Sequence, residues 1–283
     1  MTAVPRLAPM VPIDDTGIVP RAAWRLGART TEHVTAQLVE EVPVALIYNG
    51  VSHAVMLASP GDLADFALGF SLSEGIIESP QELLDLELAS AGDGIEVRLT
   101  ITARRFAGLK DRRRAMTGRS GCGLCGVESL AEAMRPLPRL EDRTFLSLVS
   151  IHRALDGLAP LQRLNRLAGA VHAAAWADPD GTIRHLAEDV GRHNAFDKVI
   201  GAMARRQGGR PPGFAVLTSR LSYELVQKAA TTGISALVAI SAPTALAVEA
   251  AERAGICVVA LARTDSVTVY AHPDRVVDLK EVS

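Results

Sequence analysis

Two stretches of this chain combine residue types and spacing that suit chemistry. The first is Arg119-Ser-Gly-Cys122-Gly-Leu-Cys125-Gly126, which sets two thiols three positions apart between glycines. A Cys-x-x-Cys pair is half of a tetrahedral zinc site. The remaining cysteine is Cys257 and no histidine lies within twenty residues of the pair, and a site shared across a dimer could supply four thiolates. The pair also suits dithiol redox chemistry, which normally sits at a strand-to-helix junction rather than in a glycine-rich basic stretch. A third use is persulfide relay, in which a thiolate takes sulfane sulfur from a donor and hands it on. That chemistry needs a reachable thiolate, and the nearby cations Arg112, Arg113, Arg114 and Arg119 favour one by lowering the thiol pKa. Glycines on both sides give the loop freedom to reach between partners. Two incidental cysteines are the fourth reading, and spacing alone leaves all four open.

The second stretch is Glu188-Asp-Val-Gly-Arg-His-Asn-Ala-Phe-Asp-Lys198. A helix starting near Asn194 would be capped by that residue, with Asp197 and Lys198 in its first turn and Phe196, Val199, Ile200 and Met203 on its buried face. This is either a capped helix with a solvated start or a polar site, including His193, at a helix N-terminus suited to a phosphate or a purine edge. A zinc nucleobase deaminase would carry His-x-Glu followed by Pro-Cys-x-x-Cys. Here His185-Leu-Ala-Glu188 is one residue too long and no cysteine pair follows, which disfavours that chemistry.

Charge is concentrated. From Arg98 to Arg119 eight basic residues stand against Asp111 alone, so this window is +7 and the remainder of a chain of net charge −2 is −9. Such a run is a solvated loop or a patch for polyanions or an acidic protein surface. With 11 aromatic residues in 283, a protein that stacks single-stranded nucleic acid on aromatic rings is disfavoured. Three cysteines are too few for a disulfide framework and suit a reducing, cytoplasmic compartment. Met1 to Asp15 lacks the apolar core of a signal peptide. The uncharged run Ala229 to Val248 reads as helix end, buried strand, turn and next helix rather than a membrane span.

The elements that must position these residues follow from periodicity. Residues 1–30 read as a flexible tail, with structure beginning near Val42. Val44–Tyr48 and Ser52–Ala58 form a hairpin about Asn49-Gly50. A helix follows with Leu63, Phe66, Ala67 and Phe70 on one face, then a strand from Ile95 after the Gly92–Gly94 turn. Residues 103–127 read as a long basic loop, and Thr144–Leu167 as helical. Strands are expected at Val171–Trp176, Thr182–Leu186, Phe214–Thr218, Ser235–Ile240, Ile256–Ala262 and Val267–Ala271, with helices at Ala195–Arg206, Ser222–Thr232 and Thr244–Ala254. Such alternation predicts an α/β fold with a mostly parallel sheet, and ligands of such sheets bind at the strand C-terminal ends. Those ends are Thr218-Ser219-Arg220, Ser241-Ala242-Pro243 and Ala262-Arg263-Thr264. The domain division is an N-terminal tail (1–30), a smaller α+β domain (31–140) and an α/β domain (141–283).

With these residues in view, the chain resembles the FdhD/NarQ family of formate dehydrogenase accessory sulfurtransferases from about residue 30 to 275. The resemblance rests on Ser-Gly-Cys122-Gly-Leu-Cys125-Gly, the Glu188–Lys198 stretch, Arg220-Leu-Ser-Tyr-Glu224, Ser241-Ala-Pro-Thr244 and Val267-Thr-Val-Tyr-Ala-His-Pro273, in order along the chain. The chain departs from the family at Thr218-Ser219-Arg220, where Ser-Gly-Arg is frequent, and at Ala260-Leu261, where Gly-Phe is frequent.

The resemblance implies a C-terminal three-layer αβα domain similar to cytidine deaminases but without their zinc site, and no metal bound directly by the protein. It implies a cytoplasmic homodimer that takes persulfide sulfur from a cysteine desulfurase onto Cys122, with Cys125 assisting. The sulfur goes to the molybdenum cofactor, bis-molybdopterin guanine dinucleotide, on the way to active formate dehydrogenase. The family's cofactor stretch maps onto Leu261, Ala262, Arg263, Thr264, Asp265 and Ser266, a place that GDP-like nucleotides also fit. The strand-end and helix-start residues Ser219, Arg220, His193, Asn194, Asp197 and Lys198 join them as candidates. Neither nucleic acid nor membrane is an expected partner. The alternative is a chaperone that binds the cofactor without carrying sulfur.

Overall fold

The computed structural model describes residues 17–117, 136–206, 209–263 and 265–277, with the backbone alone for 111–117. Its first element is a hairpin of β1 (Ile18–Leu26) and β2 (Thr31–Val39), paired through nine residues on each strand. The tail expected over residues 1–30 is therefore corrected from Ile18 onward. Pro and Arg suggested irregular chain, but β-branched residues such as Ile18, Val19, Val34 and Thr35 favour extended backbone.

A four-stranded sheet follows, in the order β4-β3-β6-β5. Its strands are β3 (Val42–Tyr48), β4 (Val51–Ala58), β5 (Leu83–Ala91) and β6 (Gly94–Ile101). Asn49 and Gly50 both take positive φ, 48° and 80°, as a two-residue hairpin with the right twist requires. Alternation puts Val42, Val44, Leu46 and Tyr48 on the buried face of β3. That face packs on α1 (Leu63–Ser73), whose Leu63, Phe66, Ala67 and Phe70 are buried as the spacing predicts. Strand β5 has no counterpart among the strands expected from periodicity; it is an edge strand whose Leu84 and Leu88 remain exposed.

The loop expected from residue 103 is also corrected, because Ala103–Thr117 is helix α2. Over its described side chains, Ala103–Lys110, the apolar stripe is thin, Leu109 with the half-buried Phe106. Arg, Ala, Leu and Lys are nonetheless strong helix formers. Part of the basic run is also neutralised within the chain. Arg98 pairs with Glu96 (2.8 Å), and Arg105 donates to both carboxylate oxygens of Glu82 (2.8 Å each) and pairs with Glu78.

A six-stranded sheet, in the order β12-β11-β10-β9-β7-β8, organises the rest. Its strands are β7 (His172–Ala177), β8 (Ile183–Asp189), β9 (Phe214–Leu217), β10 (Ala236–Ala239), β11 (Cys257–Ala260) and β12 (Thr268–Ala271). Only the pairs β9/β10 and β10/β11 are parallel. The expectation of a mostly parallel sheet is thus corrected to a mixed one, with β7/β8, β7/β9 and β11/β12 antiparallel. The short turn Asp178–Gly181 and the short link after β11 leave no room for the crossover that a parallel return needs.

Alternate residues of the central strands face opposite helical layers. Ala215, Leu217, Leu237, Ala239 and Val258 meet α5 (Arg192–Ala204), α6 (Tyr223–Thr231) and α7 (Ala245–Ala254). Phe214, Val216, Val238, Cys257 and Val259 meet α3 (Leu148–Leu161). The helical stretch expected over Thr144–Leu167 is broken at Gln162, after which α4 (Arg163–Ala168) is a separate short helix. The uncharged run 229–248 is the end of α6, β10 and the start of α7, and no helix among the described residues is long and apolar enough to cross a membrane.

Helices α1 and α5 join the small sheet to the large one. They cross with backbone against backbone: a Cβ added at Gly69 would lie 1.8 Å from the Asp197 carbonyl oxygen, and one at Gly201 would lie 1.9 Å from that of Asp65. No side chain larger than hydrogen fits at either position.

Candidate functional site

Strands β8, β9, β10 and β11 point the same way, so their C-terminal ends and the loops that follow share one edge of the large sheet. The loop after β9 carries Thr218, which accepts a bond from the Ala173 backbone N–H (2.9 Å), and Ser219, which is buried and donates to the Arg220 carbonyl (3.1 Å). Arg220 is exposed at the edge. Leu221 N–H donates to Ala242 (3.2 Å) and Thr244 N–H to Leu221 (3.0 Å), which laces this loop to the one after β10.

After β11 the backbone turns sharply. Leu261 takes a φ of 50°, a left-handed conformation that a branched side chain adopts at a cost of order 1 kcal/mol. Its N–H donates to Ser241 (3.3 Å), Ala262 N–H to Ala239 (3.1 Å) and Arg263 N–H to Ser266 (2.8 Å). The Arg263 guanidinium donates to the carbonyls of Ala262 (3.2 Å) and Ile240, so this cation is fixed over the strand ends. Leu261, Arg263, Asp265 and Ser266 are exposed, whereas the methyl of Ala262 is buried. Thr264 lies outside the described residues.

The start of α5 reaches the same edge. His193 Nε2 lies 3.9 Å from a carboxylate oxygen of Glu224, in the first turn of α6. Burial pushes the imidazole down to about 4, and the charges of Arg192 and Lys228 add to the effect. His193 is therefore neutral near pH 7, a hydrogen-bonding group rather than a cation. Arg192 and Glu224 beside it are not among the candidates expected from sequence. Their signal was adjacency, since both belong to the quoted motifs.

Asn194, Asp197 and Lys198 are buried and turn from that edge into the joint between the two sheets. Helix α5 begins at Arg192 with Gly191 as N-cap, so Asn194 is an interior residue and caps nothing. Its Nδ2 donates to the Leu57 carbonyl (2.8 Å) and to Asp189 (3.0 Å). Lys198 pairs with Asp189 (2.8 Å) and donates to the Ser59 carbonyl (3.0 Å). Asp197 accepts from Ser73 (2.7 Å) and pairs with Lys228 (2.9 Å), which also holds Glu74 (2.9 Å). Burial raises the Asp197 carboxyl to about 6 despite Lys228. All three side chains are spent on joining the two sheets through α1 and α5. Glu188 is structural too, since its carboxylate accepts from the N–H groups of Leu164 (2.7 Å) and Asn165 (2.8 Å) at the start of α4.

Cys122 and Cys125 lie outside the described residues. Cys257 is a free, fully buried cysteine on β11, and burial pushes its thiol up to about 12. Among the described residues no three His, Cys, Asp or Glu side chains converge on a metal position.

A mixed sheet between helical layers, with polar loops along its strand ends and a smaller sheet docked through a glycine crossing, defines a two-part α/β protein. Residues 39–277 match the FdhD/NarQ family, and the chain belongs to it. It is 47% identical over 239 residues to the protein named sulfur carrier protein FdhD of Bordetella petrii, covering 84% of this chain and 86% of the relative. Its fold is that of a crystal structure described as a formate dehydrogenase accessory protein from Desulfotalea psychrophila, with a TM-score of 0.71 at 21% identity, over 92% of this chain and 99% of the other.

Proposed function

We propose that this protein is a sulfur carrier that moves persulfide sulfur from a cysteine desulfurase to bis-molybdopterin guanine dinucleotide, in the service of formate dehydrogenase. The name of the relative at 47% identity supports the carrier role. The observation that carries the reading is the state of Cys257. It is enclosed between β-sheet and α3 with its thiol held far from ionisation, so it cannot act as a nucleophile. The task then falls to Cys122 and Cys125 in their glycine-rich, arginine-flanked stretch.

Loading is a thiol exchange. The Cys122 thiolate attacks the terminal sulfur of the donor persulfide, the donor's S–S bond breaks and the donor leaves as its thiolate. Cys122 then carries the sulfur as its own persulfide, with no electrons supplied from outside. Cys125 assists as the second thiol. The acceptor's guanine dinucleotide sits along the strand-end edge. There Arg220 faces its phosphates, and Ser219, the neutral His193 and the exposed Arg263, Asp265 and Ser266 supply hydrogen bonds. The carrier works as a homodimer in the reducing cytoplasm.

The test is activation of formate dehydrogenase produced in cells that lack this protein. Wild type restores activity and the Cys122→Ala/Cys125→Ala variant does not. Full activation by the double variant would contradict sulfur transfer and leave a cofactor-binding chaperone.

A further inference from the structure

The edge of the large sheet opposite the strand-end loops holds a cavity of about 840 Å³. It lies where the two parts of the protein meet. The segment after α1 (Gly75 to Gln81) forms one side, and α5 and the end of α6 form the other. Ile234 lies two residues before β10, and Trp176 pairs with Ala215 near the start of β9, which fixes the cavity at the N-terminal edge. Its volume falls in the range of small-molecule sites, which favour domain junctions and apolar walls.

The lining has two characters. Leu72, Ile77, Val199, Ile200, Met203 and Ile234 make it apolar. Arg205, Arg206 and Arg210 make it cationic, and Glu78 is the sole acid among the described lining residues. Glu78 is already engaged by Arg105 and by Arg104 (3.6 Å). Arg210 is fixed in the wall, over the Trp176 ring at 5.4 Å and donating to the Gly233 carbonyl (2.6 Å). Arg205 pairs with Asp65 (2.9 Å). The exposed Arg206 guanidinium has no hydrogen bond or ion pair with a described residue. A half-open, largely apolar pocket with an exposed, uncommitted guanidinium in its lining complements a molecule that is apolar in body and anionic at one end.

We propose that this cavity is a second binding site, separate from the strand-end edge, for a small amphipathic anion: an aromatic or aliphatic body enclosed by α5 and the segment after α1, with one acidic group on Arg206. The test titrates the full chain with 8-anilinonaphthalene-1-sulfonate and, in parallel, with its neutral counterpart N-phenyl-1-naphthylamine. The sulfonate is expected to bind saturably at one site per chain, at least tenfold more tightly than the neutral probe. Arg206→Glu and Thr231→Trp change exposed lining residues, the first reversing the charge and the second filling the mouth. Each is expected to weaken sulfonate binding at least tenfold. Absence of saturable binding, or wild-type affinity in either variant, would overturn the assignment of the site. Equal affinity for the two probes would overturn the anionic class.

Discussion

At the scale of the residue, the polar groups of the Glu188–Lys198 stretch divide into two jobs that spacing could not separate. His193 faces the strand-end edge, whereas Asn194, Asp197 and Lys198 turn inward onto Leu57, Ser73 and Ser59, each more than a hundred positions earlier in the chain. Partners so distant leave no trace in local sequence, so a buried joint and a ligand site look alike there. The joint has a pH signature. Asp197 is raised from 3.8 to about 6, so the folded protein holds this proton more tightly than the unfolded chain does. Its contribution to stability is fully present below the unfolded pKa and is lost as pH rises through the folded one, up to about 3 kcal/mol in all. His193, lowered from 6.5 to about 4, acts in the opposite sense, and its contribution is lost as pH falls through 4. Asp197→Asn removes the first effect and keeps the second. Urea unfolding at pH 5 and pH 7 is expected to show the variant gaining about 1 kcal/mol more than wild type over that interval. An equal change in both proteins would refute the assignment.

At the scale of the element, apolar runs bounded by turn residues made the strands of the large sheet legible to within a few residues, as at Ala236–Ala239 and Cys257–Ala260. Helix α2 was not legible, because its arginines hide a stripe that among the described side chains is only Phe106 and Leu109. The hairpin β1/β2 was hidden by the opposite error, in which Pro and Arg outweighed the β-branched residues beside them. Two glycines test these elements in opposite directions. A Cβ at Gly108 in α2 meets nothing within 4 Å, so Gly108→Ala is expected to stabilise the protein by about 0.5–1 kcal/mol. No change in the unfolding midpoint would argue against a helix there. Gly201→Ala drives a methyl into the Asp65 carbonyl, and thermal unfolding should reveal a loss of about 3 kcal/mol or more. Wild-type stability in that variant would contradict the close crossing of α1 and α5.

At the scale of the whole molecule, the α/β class and the strand-end edge followed from alternation of apolar strands and helices. The mixed order of the sheet did not, because pairing direction depends on link lengths that periodicity does not record. The edge gathers Arg220, His193, Leu261, Arg263, Asp265 and Ser266 from segments far apart in sequence, at the strand C-terminal ends where ligands of open α/β sheets bind. Titration with GDP is expected to show binding about tenfold weaker in Arg220→Ala and unchanged in Cys122→Ala/Cys125→Ala. Undiminished binding in Arg220→Ala would remove that edge from the account. The central claim is that sulfur is carried on Cys122, and mass spectrometry of the intact protein after incubation with a cysteine desulfurase and cysteine tests it most directly. The account predicts one added sulfur, about 32 Da, on wild type and on Cys257→Ala, and none on Cys122→Ala. Equal labelling of Cys122→Ala, or no labelling of wild type, would contradict it.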